Sequence, residues 1–130
     1  MGQKRDSQRY NLKAELNGKF QNDEIFIVKD VSFDGISLLS VFSPDIGDKY
    51  KLYINNNDKV YEVNIEITRN KVVGFNSKGE NILPMGALHS IAGKILDLNG
   101  TREKFLLSLQ LNSIYDSLSL AQAIKKGQKK

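Results

Sequence analysis

Tyr61-Glu62-Val63-Asn64-Ile65-Glu66-Ile67-Thr68 alternates apolar and polar side chains without a break. Successive side chains of a strand point to opposite faces, so Tyr61, Val63, Ile65 and Ile67 face one way and Glu62, Asn64, Glu66 and Thr68 the other. That is a strand with one face in a core and one in water. Working outward, the same chemistry recurs in shorter pieces. Leu12, Ala14 and Leu16 alternate with Lys13 and Glu15, and Ile25 to Val28 is a β-branched and aromatic run. Ile36–Val41, Tyr50–Ile54, Lys71–Phe75 and Ile91–Leu98 read as further strands. Between them lie turn signals: Asn17-Gly18, Asp30 to Gly35, Ser43-Pro44-Asp45, Asn55 to Asp58, and Ser77 to Asn81. Pro84 and Gly86 interrupt the stretch Ile82 to Leu88, which fits no single element.

After Asn99-Gly100 the period changes. Leu107, Leu111, Ile114, Leu118 and Ala121 recur at steps of three and four, which predicts a helix over 101–124 with one apolar face. Thr101 is expected as its N-cap, with Glu103 in the first turn. Many short strands followed by one terminal helix imply a mainly β domain: a closed antiparallel barrel or sandwich with the helix packed on or beside it. The 130 residues suit one such domain. Residues 1–10 read as a polar mobile arm, 11–98 as the β-barrel and 125–130 as a basic tail.

Composition narrows the function. There is no cysteine, and His89 is the single histidine, so disulfides and ordinary zinc sites are not expected. No apolar run is long enough to span a bilayer, and Met1 to Asp6 has no signal-peptide core, so a cytoplasmic protein is expected. The net charge is +4, and Lys125, Lys126, Lys129 and Lys130 read as a solvated tail. No Gly-rich phosphate loop and no G-x-S-x-G elbow is present. His89 beside Ser90 reads as a surface or strand histidine rather than a catalytic base, and Glu62 with Glu66 as solvated carboxylates. The chain is therefore read as a non-enzyme without a metal or other cofactor.

Two short motifs carry what binding chemistry there is. Arg5-Asp6-Ser7-Gln8-Arg9 is an R-x-x-x-R element, and Asp30-Val31-Ser32-Phe33-Asp34-Gly35 is a D-x-S-x-x-G element. Arginine offers a planar fork that suits phosphate or the O6 and N7 edge of guanine, and it stacks on purines. Two of only four arginines fall at this spacing. Asp30 can accept from guanine N1–H and N2–H, Ser32 can donate to phosphate or accept from a base, and Gly35 permits φ > 0 or close approach of a ligand. Asp34 would repel phosphate unless it points away.

In this order and spacing the two motifs resemble the signature of the PilZ domain, a bacterial receptor for the second messenger cyclic di-GMP. The resemblance implies a six-stranded antiparallel β-barrel with a C-terminal α-helix. It implies that Arg5, Arg9, Asp30, Ser32 and Gly35 bind the nucleotide, with the arm wrapping over it. Lys4 occupies the place where many members carry a further arginine, and is a further candidate. Gly93 matches a glycine common in the last barrel strand. Ligand binding is then expected to order the arm and to alter contact with a downstream protein, in control of motility, adhesion or polysaccharide export. The segment Lys71 to Leu88 is longer than the family's simple hairpin and reads as an elaboration that meets a partner. The alternatives are a PilZ-like interaction module without ligand binding, and a small basic barrel for single-stranded nucleic acid. The pI of about 9.2 permits the latter, but the few aromatics show no stacking platform.

Overall fold

The structure, a computed structural model, describes residues 9–10, 12, 15–77 and 81–109. Seven antiparallel strands run in chain order: β1 (Arg9–Tyr10), β2 (Leu16–Phe20), β3 (Ile25–Ser32), β4 (Gly35–Ser40), β5 (Lys49–Asn56), β6 (Lys59–Asn76) and β7 (Gly86–Leu96). A helix, α1, occupies 101–109. The sheet order is β1-β3-β2-β5-β6-β7-β4, and β4 also pairs with β3. Six strands, β2 to β7, therefore close into a ring, and β1 extends the sheet beside the end of β3. This is the mainly β, barrel-like architecture with a following helix that the alternation predicts, with the six strands that the PilZ resemblance implies.

Inside the ring lie Phe20, Phe26, Leu38, Leu52, Ile54, Val63, Ile65, Ile67 and Ile91, all essentially without solvent contact. They are the apolar half of each alternating pattern. Closure leaves the ring of six strands without a hydrogen-bonding edge along most of its length. At one rim Phe20, Phe42 and Tyr50 pack edge-to-face, with centroids 5.1–5.6 Å apart. The opposite rim is sealed by α1, whose Phe105, Leu106 and Leu109 join the core. Asn56 Nδ2 donates to Ser108 Oγ (3.0 Å) there, and that hydroxyl donates to the Phe105 carbonyl (2.6 Å), so no buried polar group of this contact is stranded.

Several local expectations are corrected. Asn17-Gly18 is not a turn: both residues lie inside β2, and the chain reverses at 21–24, with Asp23 at φ 70°. Gly18 is needed for a close crossing. A Cβ there would collide with the Tyr53 backbone carbonyl oxygen and lie 2.9 Å from the Phe26 ring. Two expected strands at 61–68 and 71–75 are one 18-residue strand, β6, which absorbs extra residues at Thr68 and Val73 as bulges. The uncertain stretch 82–88 resolves into a loop, with β7 starting at Gly86 (φ 150°).

Thr101 is not the N-cap. Asn99 and Gly100 both take positive φ, and the Gly100 carbonyl accepts the first helical bond from Lys104 N–H (3.2 Å), so the reversal is made one residue earlier. The helix face also differs. Leu107, the first residue of the predicted stripe, is 53% exposed, while Phe105, Leu106 and Leu109 pack. The rest of that stripe lies outside the described residues, as does the tail 125–130.

Candidate functional site

D-x-S-x-x-G falls on the β3–β4 hairpin. Asp30 and Ser32 are on β3, Phe33 and Asp34 make the turn, and Gly35 opens β4. What aims the two polar side chains is a bulge. Phe26 and Val28 point inward, so unbroken alternation would turn Asp30 and Ser32 into the core. Between β3 and β4 the register runs Val28↔Leu38 and then Asp30↔Ser37, leaving Lys29 as an extra residue. The parity flips. Val31 becomes fully buried, and Asp30 and Ser32 emerge on the outer face of the ring.

A second bulge does the same across the groove. Val63, Ile65 and Ile67 point inward, and Arg69 continues that parity in sequence. The register passes from Ile67↔Gly93 to Arg69↔Ala92, skipping Thr68, and Arg69 is thrown outward. Thr68 Oγ1 donates to the Ala92 carbonyl (3.2 Å), which holds the bulge in place. Between the two bulges lies an open groove of ≈ 460 Å³ on the outer face of β3, β4, β7 and β6. Asp30, Ser32 and Asp34 line the β3 side and Arg69 the β6 side, with Gly35 and Ser37 of β4 and Ala92 and Lys94 of β7 between them. From β3 to β6 is three strand spacings, about 14 Å.

The floor is flat because its residues are small. At Gly35 an added Cβ would meet the Gly93 carbonyl oxygen at 3.5 Å and Ser32 Oγ at 3.6 Å, ordinary contacts. Its φ is not positive, so of the two roles expected for this glycine only the open approach applies. Gly93 faces inward, where a Cβ would lie 2.8 Å from Ile65 Cδ1 and 3.1 Å from Ile65 Cβ. Its backbone lines the groove while Ile65 fills the core behind it.

Ser32 Oγ has two long acceptors, Asp34 Oδ1 (3.3 Å) and the Gly35 carbonyl (3.4 Å). Such weak local bonds leave the hydroxyl able to turn toward an incoming group. The turn itself is clamped. Ile95 N–H donates to the Asp34 carbonyl (2.9 Å), and the Arg102 guanidinium lies 4.2 Å over the Phe33 ring while reaching Asp97 Oδ2 at 3.4 Å. The hairpin is thus tied to the end of β7 and the start of α1.

β1 runs antiparallel to the end of β3, with Arg9 opposite Ser32 and Tyr10 opposite Val31. The second arginine of R-x-x-x-R is therefore in register with the serine of D-x-S-x-x-G. Arg5 and Lys4 lie outside the described residues. Arg69 and Lys94 were missed from sequence. Arg69 belongs to no motif and the alternation of β6 assigns it to the inner face, while Lys94 follows Gly93 with nothing local that marks it out.

His89 is held by Asn70. Its Nδ1 meets Asn70 Oδ1 at 2.8 Å, and Asn70 Nδ2 donates to Ser43 Oγ (3.0 Å) and the Pro44 carbonyl (2.8 Å). Those two bonds fix the amide, so Oδ1 faces the ring and Nδ1 carries the proton. His89 sits opposite Ser40 on β4 and the adjacent Ser90 is buried on the other face, so the two form no dyad. Among the described residues no cluster of three or more His, Cys, Asp or Glu could hold a metal ion, and no helix is long and apolar enough to cross a membrane.

No protein-family model matches the sequence, and no curated protein does. Solved structures do match the fold. The PilZ domain of YcgR from Escherichia coli, solved with c-di-GMP, superposes at a TM-score of 0.58 and 13% identity, over 88% of this chain and 98% of that one. The complex of K. pneumonia MrkH with c-di-GMP matches at TM-score 0.53 and 19% identity, and MrkH in its apo state at 0.53 and 16%. This chain spans 56% of MrkH in either state. At these identities the likeness is one of architecture: the chain has a PilZ-like fold.

Proposed function

We propose that this chain is a non-enzymatic receptor for cyclic di-GMP, with the nucleotide held in the β3–β4–β7–β6 groove. The observation that carries this reading is the antiparallel pairing of Arg9 with Ser32, which joins the two sequence motifs at one rim of the groove. Arg5 and Arg9, with Lys4 beside them, supply forks and charge for phosphate and for stacking. Asp30 accepts from the guanine edge, Ser32 turns to phosphate, and Gly35 leaves the floor open. The fold neighbours solved with c-di-GMP, YcgR and MrkH, support the same ligand. The domain comprises the arm 1–10, the ring 11–98, the helix 101–124 and the tail 125–130, in the cytoplasm. Ligand binding orders the arm over the nucleotide and changes the surface offered to a downstream protein that governs motility, adhesion or polysaccharide export.

Calorimetric titration tests the reading. Saturable heat is expected with cyclic di-GMP, and far weaker binding with GMP and GTP. Arg5→Ala and Arg9→Ala should each weaken binding by roughly tenfold or more, the scale of a charge-assisted contact at about 1.5–3 kcal/mol. Absence of heat at high micromolar nucleotide would reject the receptor and leave a PilZ-like module that works by protein contact alone.

A further inference from the structure

We propose that Arg69 on β6 and Lys94 on β7 form a cationic wall of the groove that takes the phosphates of the bound nucleotide from the β7–β6 side. This rests on the receptor reading above and adds residues that belong to neither motif.

Three observations carry it. First, Arg69 reaches the groove only because Thr68 is bulged out of β6. Without that extra residue, the Val63–Ile65–Ile67 alternation would bury a guanidinium in the core. The bulge is anchored by the Thr68 hydroxyl on the Ala92 carbonyl, so the orientation of Arg69 is built into the sheet. Second, Lys94 lies on the same outer face, paired with Gly35 on one side and with Glu66 on the other. Glu66 is the carboxylate nearest in register, yet neither Lys94 nor Arg69 forms an ion pair among the described residues. Among the described residues, two cations thus line the groove without an ion-pair partner. Third, the β3 side of the groove has the opposite character, since Asp30, Ser32 and Asp34 line it. A ligand that spans the groove and offers anionic oxygens to the β7–β6 side meets Arg69 and Lys94 there, and meets the hydroxyl of Ser32 on the β3 side. A guanine edge and a phosphodiester within one molecule suit these two sides. Arg69 presents a fork to phosphate oxygens and Lys94 a point charge.

The test is calorimetry of the full chain with cyclic di-GMP, comparing wild type with Arg69→Ala, Lys94→Ala, the double variant and Arg69→Lys. Both side chains are exposed, so circular dichroism and melting should match wild type. Each alanine variant is expected to bind about tenfold more weakly and the double variant about a hundredfold, with affinity less sensitive to salt. Arg69→Lys, which keeps the charge and loses the fork, should fall between wild type and Arg69→Ala. If wild type binds and the double variant stays within about twofold of it, the cationic wall is wrong and the receptor stands, since a lost charge-assisted bond exceeds that margin. If wild type itself gives no heat, the receptor reading fails and the wall falls with it.

Discussion

Gly18 and Gly35 both lie in strands, and the surroundings of each assign opposite consequences to the same substitution. At Gly18 a methyl group runs into the Tyr53 backbone, which no rotamer change relieves. Gly18→Ala is expected to destabilise the fold by about 3 kcal/mol in urea unfolding, the upper end of overpacking costs. At Gly35 the methyl group meets only ordinary contacts and the backbone is not in the left-handed region. Gly35→Ala should leave stability within about 0.5 kcal/mol of wild type, or raise it slightly through the unfolded chain. Its effect should appear in the calorimeter instead, as weakened cyclic di-GMP binding, because the new methyl group stands on the groove floor. A Gly35→Ala protein that unfolds easily, or one that binds normally, would contradict this assignment. The sequence distinguishes the two glycines poorly. Asn-Gly is a strong hairpin signal, but Gly18 is set by Tyr53, a residue 35 positions away on another strand, and no local pattern reports such a crossing.

Among the elements, period was legible and phase was not. The alternation at 61–68 identifies β6, and the change to a helical period after Asn99-Gly100 identifies α1. A bulge, however, adds one residue and reverses the side chains beyond it, and nothing in the composition of Lys29 or Thr68 marks it. D-x-S-x-x-G was therefore readable as a motif, whereas the outward turn of Asp30 and Arg69 follows only from strand register. The helix repeats the lesson. At the described end of α1, after the positive-φ turn at Asn99 and Gly100, Phe105, Leu106 and Leu109 are buried while Leu107, which opens the predicted stripe, is exposed. The consequence is measurable in paired variants. Phe105→Ala should cost about 3–5 kcal/mol, as for a fully buried aromatic ring. Leu107→Ala should stay within about 0.5 kcal/mol, as for a surface position. If Leu107→Ala destabilises comparably, α1 packs through the stripe that periodicity suggested.

For the whole molecule, the groove matters because of how many strands it joins. It crosses β3, β4, β7 and β6, four of the six strands of the ring, and β1 pairs Arg9 with Ser32 on β3. Its β3–β4 turn is also tied to the end of β7 and to Arg102 of α1. A ligand that binds only when these parts are assembled must stabilise the assembly, by about 2.7 kcal/mol at a hundredfold excess over Kd. For a domain of 130 residues each kcal/mol raises the melting temperature by roughly 3–4 °C, so cyclic di-GMP should raise it by about 10 °C. The rise should follow ligand concentration and be far smaller with GMP. Gly35→Ala should melt like wild type without nucleotide and respond much less to it, which separates the groove from the fold that carries it. A melting temperature indifferent to saturating cyclic di-GMP would mean that the nucleotide does not engage the assembled ring. The two bulges that turn Asp30 and Arg69 outward would then need another explanation.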